Sequence, residues 1–203
     1  MSRLFAVHPL AFTWPYALVF WLVFLWTYWP EFALIQRARA GAARSDSPDA
    51  GSLRVILIGN QLGSIVAFWV SGIAPTAAPA SWRLPMFWIG LAMLVSGSLL
   101  RRYCWRVLGE FFTGDVSTRA DQPVIDRGPY RWVRHPSYSG GMLMFTGTGI
   151  ALGNWLSVAL LTGTIAIVYT YRVRIEERAL AAALGEPYRR FMATRKRFIP
   201  FVF

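Results

Sequence analysis

From Ser137 to Tyr171 the chain runs for 35 residues without one charged side chain. Crossing roughly 30 Å of hydrocarbon takes about 20 helical residues, and a straight helix of this length would extend over about 50 Å. The run is too long for one crossing. Its centre reads Gly153-Asn154, a turn signal. The expectation is therefore two helices, at about 139–152 and 155–171, forming a hairpin within 137–171 that returns the chain to the side it left.

Three further apolar runs come before it. Leu10 to Trp29 is uncharged, Leu53 to Ala74 carries only Arg54 near its edge, and Leu84 to Leu100 stops at Arg101-Arg102. The first could be a signal peptide, because Arg3 precedes it and small residues follow at 38–43. Its apolar stretch exceeds the roughly 7–15 residues of a signal core, and Arg37 and Arg39 follow at once, so a retained helix is the better reading. Gly59 and Gly63, one turn apart in the second run, would admit a close neighbouring helix.

Basic residues test the count, since Lys and Arg gather on the cytoplasmic side of short loops. With five crossings, all but Arg3 and Arg83 of the 21 Lys and Arg residues fall on one side; with four, the asymmetry vanishes. The fold class expected is thus all-α, a polytopic membrane protein with five transmembrane helices, the last two a hairpin, and a C-terminal amphipathic cytoplasmic helix. The N-terminus would lie outside and the C-terminus and site in the cytoplasm.

Composition agrees: 55% of residues are hydrophobic and only 15% charged, too few to coat a soluble globule. Ten Trp, eight Tyr and fourteen Phe suit two membrane interfaces better than a dense soluble core. The net charge of +11 then reads as topology plus attraction to anionic lipid in the bilayer, and not as a nucleic-acid surface. One cysteine, Cys104, and two histidines supply no metal cage, so no metal is expected. Residues 36–52 are small, polar and turn-rich, as in a mobile cytoplasmic loop. Residues 174–195 carry an amphipathic helical pattern through Leu180, Leu184, Tyr188 and Phe191, with Arg189, Arg190, Arg195, Lys196 and Arg197 near the headgroups. The chain divides into three N-terminal helices, 1–100, and a catalytic half, 101–203.

Polar residues beside apolar spans are costly, so clusters of them mark candidate sites. Asp126-Arg127-Gly128-Pro129-Tyr130-Arg131-Trp132-Val133-Arg134-His135-Pro136-Ser137-Tyr138 precedes the hairpin, and Tyr171-Arg172-Val173-Arg174-Ile175-Glu176-Glu177-Arg178 follows it. A hairpin brings both to one membrane face. Arg172 and Glu176, four residues apart, project from one helix face, either as an ordinary surface ion pair or as site residues.

At these residues the sequence resembles the isoprenylcysteine carboxyl methyltransferase family, membrane-embedded enzymes with relatives that methylate phospholipids and thiols. The resemblance runs from Leu108-Gly109 through GPYRWVRHPSY, the charge-free stretch, the EE pair and Leu184-Gly185-Glu186-Pro187-Tyr188 to the closing Arg-Phe-Ile-Pro. It implies a cytoplasmic-side S-adenosylmethionine pocket; no G-x-G-x-x-G follows a strand here. The implied cofactor contacts match Gln122, Pro123, Val124, Ile125, Tyr130, His135, Pro136, Ser137, Tyr138 and Glu176, with Glu176 on the amino group of the methionine moiety. The implied substrate-side, catalytic arginine matches Arg172. Pro123 departs from the pattern, having no backbone N–H to donate. The three N-terminal helices carry no matching motif.

Methyl transfer from a sulfonium needs donor and nucleophile aligned and water excluded. A carboxylate acceptor is already ionised at neutral pH and needs only a guanidinium to orient it, the role expected of Arg172. A thiol or amine acceptor would need a base, for which His135 and Glu177 are candidates; the other reading of His135 is a helix-start residue that bonds backbone and never titrates in turnover. The acceptor expected is lipophilic or small, most naturally a prenylcysteine-type carboxylate. Two other readings stand beside this one: a membrane NADPH-dependent sterol-type reductase, which shares an RHP-containing stretch, and a non-catalytic lipid-binding membrane protein.

Overall fold

The computed structural model describes residues 8–42, 51–73, 78–112 and 122–199. Arg3, Arg44 and the middle of the polar stretch 36–52 lie outside them. The described chain is almost wholly helical: α1 (Tyr16–Ala42), α2 (Ser52–Ile73), α3 (Ala80–Leu108), α4 (Pro136–Ala151), α5 (Trp155–Leu184) and α6 (Glu186–Thr194), with short 3₁₀ turns at Leu10–Phe12, Gly109–Phe111 and Gly128–Arg131. Four segments are long and apolar enough to cross a membrane, Tyr16–Leu34, Arg54–Ile73, Ala80–Leu108 and Trp155–Leu184. At 16 residues α4 is shorter, about 24 Å. Large apolar side chains face outward along these helices, among them Trp29 at 71%, Trp69 at 65% and Ile167 at 73% exposure, as a surface solvated by lipid requires.

Several boundaries differ from the sequence pattern, each for a physical reason. Leu10 to Phe12 forms a 3₁₀ turn, and α1 starts at Tyr16 and runs on to Ala42. The Gln, Arg and Ala residues after Leu34 are strong helix formers, so the first part of the stretch read as a loop is helical. Helix α3 continues past Arg101-Arg102, because Arg101 is matched by Glu31 and the Arg102 guanidinium lies 4.3 Å from the Trp26 ring. The single amphipathic helix expected over 174–195 is two pieces. Gly185, at φ +63°, ends α5, and Pro187 occupies the first turn of α6.

Helix contacts follow from missing side chains. A Cβ on Gly97 would sit 2.4 Å from the Gly140 carbonyl oxygen, and one on Gly90 would sit 2.4 Å from the Ala151 nitrogen, so α3 and α4 touch backbone to backbone. On the other side α2 lies against α5, with Gly59 facing Val168 and Gly63 facing Thr164. Between α4 and α5 the chain turns at Leu152-Gly153-Asn154. Gly153 adopts φ +64°, and Asn154 Oδ1 accepts from the amides of Leu156 and Ser157 at 3.0 and 3.1 Å, capping α5. Thr146 and Thr162 hydroxyls then meet at 3.0 Å across the pair. Phe20, Phe87, Leu91, Leu94 and Met144 fill the α1–α3–α4 core, and Ala67, Phe145, Leu161 and Ile165 the α2–α4–α5 core.

Candidate active site

Where α4 begins, the chain has just made two tight manoeuvres. Gly128 (φ +59°) opens the Gly128–Arg131 turn that buries Tyr130, and His135 then precedes Pro136, the first residue of α4. Proline needs no hydrogen bond at a helix start, so α4 can begin directly beneath the histidine. Across from it, α5 presents Glu176 and Glu177. The Tyr138 hydroxyl donates to Glu176 Oε2 at 2.7 Å, and His135 Nδ1 lies 3.9 Å from Glu176 Oε1. His135 Nε2 lies 3.3 Å from Glu177 Oε1. The imidazole, 4% exposed, is thus wedged between two carboxylates.

The two glutamates have different surroundings. Glu176 keeps 28% of its side chain exposed and faces a cavity. Glu177, 4% exposed, meets Arg134 Nε at 2.9 Å and Arg197 Nη2 at 2.8 Å as well as His135. A buried carboxylate needs such pairing. Glu177 is absent from the cavity wall. Arg197, read from sequence as a headgroup anchor, is instead drawn inward to this carboxylate. Its neighbours follow: the Arg134 and His135 amides donate to the carbonyls of Lys196 and Arg197 at 2.8 and 3.0 Å, and Ser139 Oγ donates to the Phe198 carbonyl at 2.6 Å. The stretch 196–198 is therefore a strap laid over the start of α4.

The cavity has a volume of about 430 Å³, within the range typical of small-molecule sites. Gln122, Pro123, Val124, Ile125, Tyr130, His135, Ser137, Tyr138 and Glu176 all line it, as does Arg172; Pro136 does not. Gln122 to Asp126 is irregular chain that reaches the wall. Arg172, 3% exposed, donates from Nη1 to Ser52 Oγ at the first residue of α2. Tyr188 and Phe191 of α6 add aromatic wall. Burial, reinforced by the nearby Glu176 carboxylate, pushes the Tyr130 and Tyr188 phenols well above the ordinary tyrosine value, so both are neutral. Away from this mouth the walls turn apolar, with Phe24, Ile56, Phe68, Phe145 and Leu161.

Sequence reasoning missed one buried pair beside this cavity. Arg101, 8% exposed, grips Glu31 with Nε and Nη2 at 2.5 and 2.6 Å, and its Nη1 donates to the Ser137 carbonyl at 2.9 Å. Arg101 had been read as marking a helix end. The available signal was a lone acid, Glu31, closing one apolar run and an arginine closing another. Among the described residues no group of three or more His, Cys, Asp or Glu side chains forms a metal-ligand set.

A bundle of long, outwardly apolar helices around a cavity lined by both charged and apolar side chains defines an integral, multi-pass membrane protein. By the match of residues 85–187 to the family model described as phospholipid methyltransferase, the chain belongs to that family. It is similar to protein-S-isoprenylcysteine O-methyltransferase B of Arabidopsis thaliana, at 29% identity over 123 residues, 60% of this chain and 61% of that protein. It is also similar to the protein-S-isoprenylcysteine O-methyltransferase of Tribolium castaneum, at 31% identity over 116 residues, 56% of this chain. The chain spans 61% and 41% of the lengths of these two relatives. Among solved structures it resembles the eukaryotic intramembrane Ras methyltransferase, isoprenylcysteine carboxyl methyltransferase, with a TM-score of 0.58 and 26% identity over 72% of this chain and 52% of that one.

Proposed function

We propose that this protein is an S-adenosylmethionine-dependent methyltransferase of the membrane interior that methylates a lipophilic carboxylate of the prenylcysteine type. The observation that carries this reading is the single cavity in which the Tyr138–Glu176 pair, His135, Tyr130 and Arg172 share a wall. Its donor set suits the cofactor: a partly exposed carboxylate at Glu176 for an ammonium group, and the aromatic side chains Tyr130, Tyr188 and Phe191, lining the same cavity as residues 122–125, for a flat heterocycle. Pro123 offers a carbonyl but no N–H there. When bound, the cofactor supplies a sulfonium methyl group for in-line displacement by the acceptor. Tyr138 holds the Glu176 carboxylate in position, and His135 is fixed between Glu176 and Glu177. Arg172, steadied by Ser52, orients the acceptor carboxylate, which needs no base. The apolar depth receives the acceptor's hydrocarbon and keeps water from the reacting atoms.

In this reading the short α4 and α5 cross the membrane as a hairpin, giving five crossings with α1 to α3. The basic residues put the N-terminus outside and the mouth of the cavity, α6 and the C-terminus in the cytoplasm. Residues 101–203 form the catalytic half, with α1 and α2 supplying the acceptor side. Titration calorimetry of the purified protein tests it: S-adenosylhomocysteine binds and NADPH does not, and labelled methyl groups pass to a prenylcysteine carboxylate. Binding of NADPH alone would support a reductase instead, and binding of neither a non-catalytic lipid-binding role.

A further inference from the structure

One polar group in the apolar depth is unaccounted for by the reading above. Asn60, on the cavity wall in the middle of α2, has its Oδ1 fully buried with no hydrogen-bond partner among the described residues. Two other polar wall residues are matched within the protein: Glu31 by Arg101, and the Tyr28 hydroxyl by Thr148 at 3.3 Å. Ser64, four residues on and on the same helix face, also lines the cavity. A polar side chain inside a membrane span marks function by default, because hydrocarbon offers it no partner. A plain hydrocarbon chain in this cavity would leave the Asn60 carbonyl oxygen buried and unpaired.

We propose that Asn60 is a specificity residue that accepts a hydrogen bond from a hydroxyl or amide N–H carried within the apolar part of the acceptor. The position is fixed by α2 itself. Ser52 holds Arg172, and Asn60 lies eight residues further along, about 12 Å at helical rise. The acceptor class is thus an amphiphile with a carboxylate at one end and a hydrogen-bond donor about 12 Å away from it. This deepens the methyltransferase reading and rests on it for the placing of the carboxylate.

The test compares two radiolabelled thioether carboxylates of equal chain length, one plain and one bearing a hydroxyl about 12 Å from the carboxylate. Each is measured for equilibrium binding and for methyl acceptance, on wild-type protein and Asn60→Leu in lipid nanodiscs. The wild type binds the hydroxylated probe about tenfold more tightly, which is 1.4 kcal/mol, and Asn60→Leu abolishes the preference. No preference in the wild type, a preference that survives the substitution, or binding of neither probe overturns the proposal. The wild-type comparison stands even where the variant does not fold. Preference without methyl transfer keeps the Asn60 assignment and removes the methyltransferase reading; methyl transfer without preference does the reverse.

Discussion

Replacing Glu177 by glutamine keeps the shape of the side chain and removes the charge that three cationic or ionisable groups share. Breaking a buried ion pair on one side typically costs about 3–5 kcal/mol, because the partner is left charged and unsolvated. Here the partners differ: Arg197 is 30% exposed and can turn to water, whereas Arg134 is 10% exposed and cannot. The lower end, about 3 kcal/mol, is therefore expected, and most of it should be local. The strap 196–198 is held by amides of Arg134 and His135, so opening it exposes those two N–H groups. Hydrogen exchange at the His135 amide should rise by roughly 100-fold in Glu177→Gln, at about 1.4 kcal/mol per factor of ten, while amides in the middle of α3 change little. An exchange rate within threefold of wild type would refute the idea that Glu177 fastens the strap.

Glu176→Gln should weaken S-adenosylhomocysteine binding in calorimetry by at least tenfold, whereas Arg172→Ala should leave that affinity within about threefold and abolish methyl transfer; equal loss in both would contradict separate roles. Gly97→Leu should destabilise the bundle by several kcal/mol, since the new side chain meets the Gly140 carbonyl and the Met144 amide, backbone that cannot turn aside, and detergent unfolding would register it. Glu31→Gln leaves Arg101 buried and unmatched and should lower the unfolding midpoint clearly. The double change Glu31→Gln with Arg101→Met should recover much of that loss, a non-additivity measurable by the same unfolding series.

What the sequence discloses here is what depends on neighbours along the chain. Apolar runs announce their helices, Gly153-Asn154 announces a turn because it needs a positive φ and a cap, and the residues from Gln122 to Tyr138 can be named before they are seen together. The length of α1 was misjudged because good helix formers outlast the apolar pattern. Contacts between distant residues left no local trace. Nothing in the period of α3 or α4 says that Gly97 will meet Gly140, that Arg101 will find Glu31, or that Ser52 will hold Arg172. The division of labour between adjacent Glu176 and Glu177 was equally hidden. It arises from which side of α5 faces the cavity and which faces the returning strap.

That returning strap carries a consequence for biosynthesis. Helices α1 to α5 are all synthesised before it, yet the carboxylate beneath His135 gains its second arginine only when residue 197 has emerged and folded back. A chain synthesised only as far as α5 consequently has its helices but not this latch, and a bulky fusion placed directly after the strap would burden a fastening that forms late.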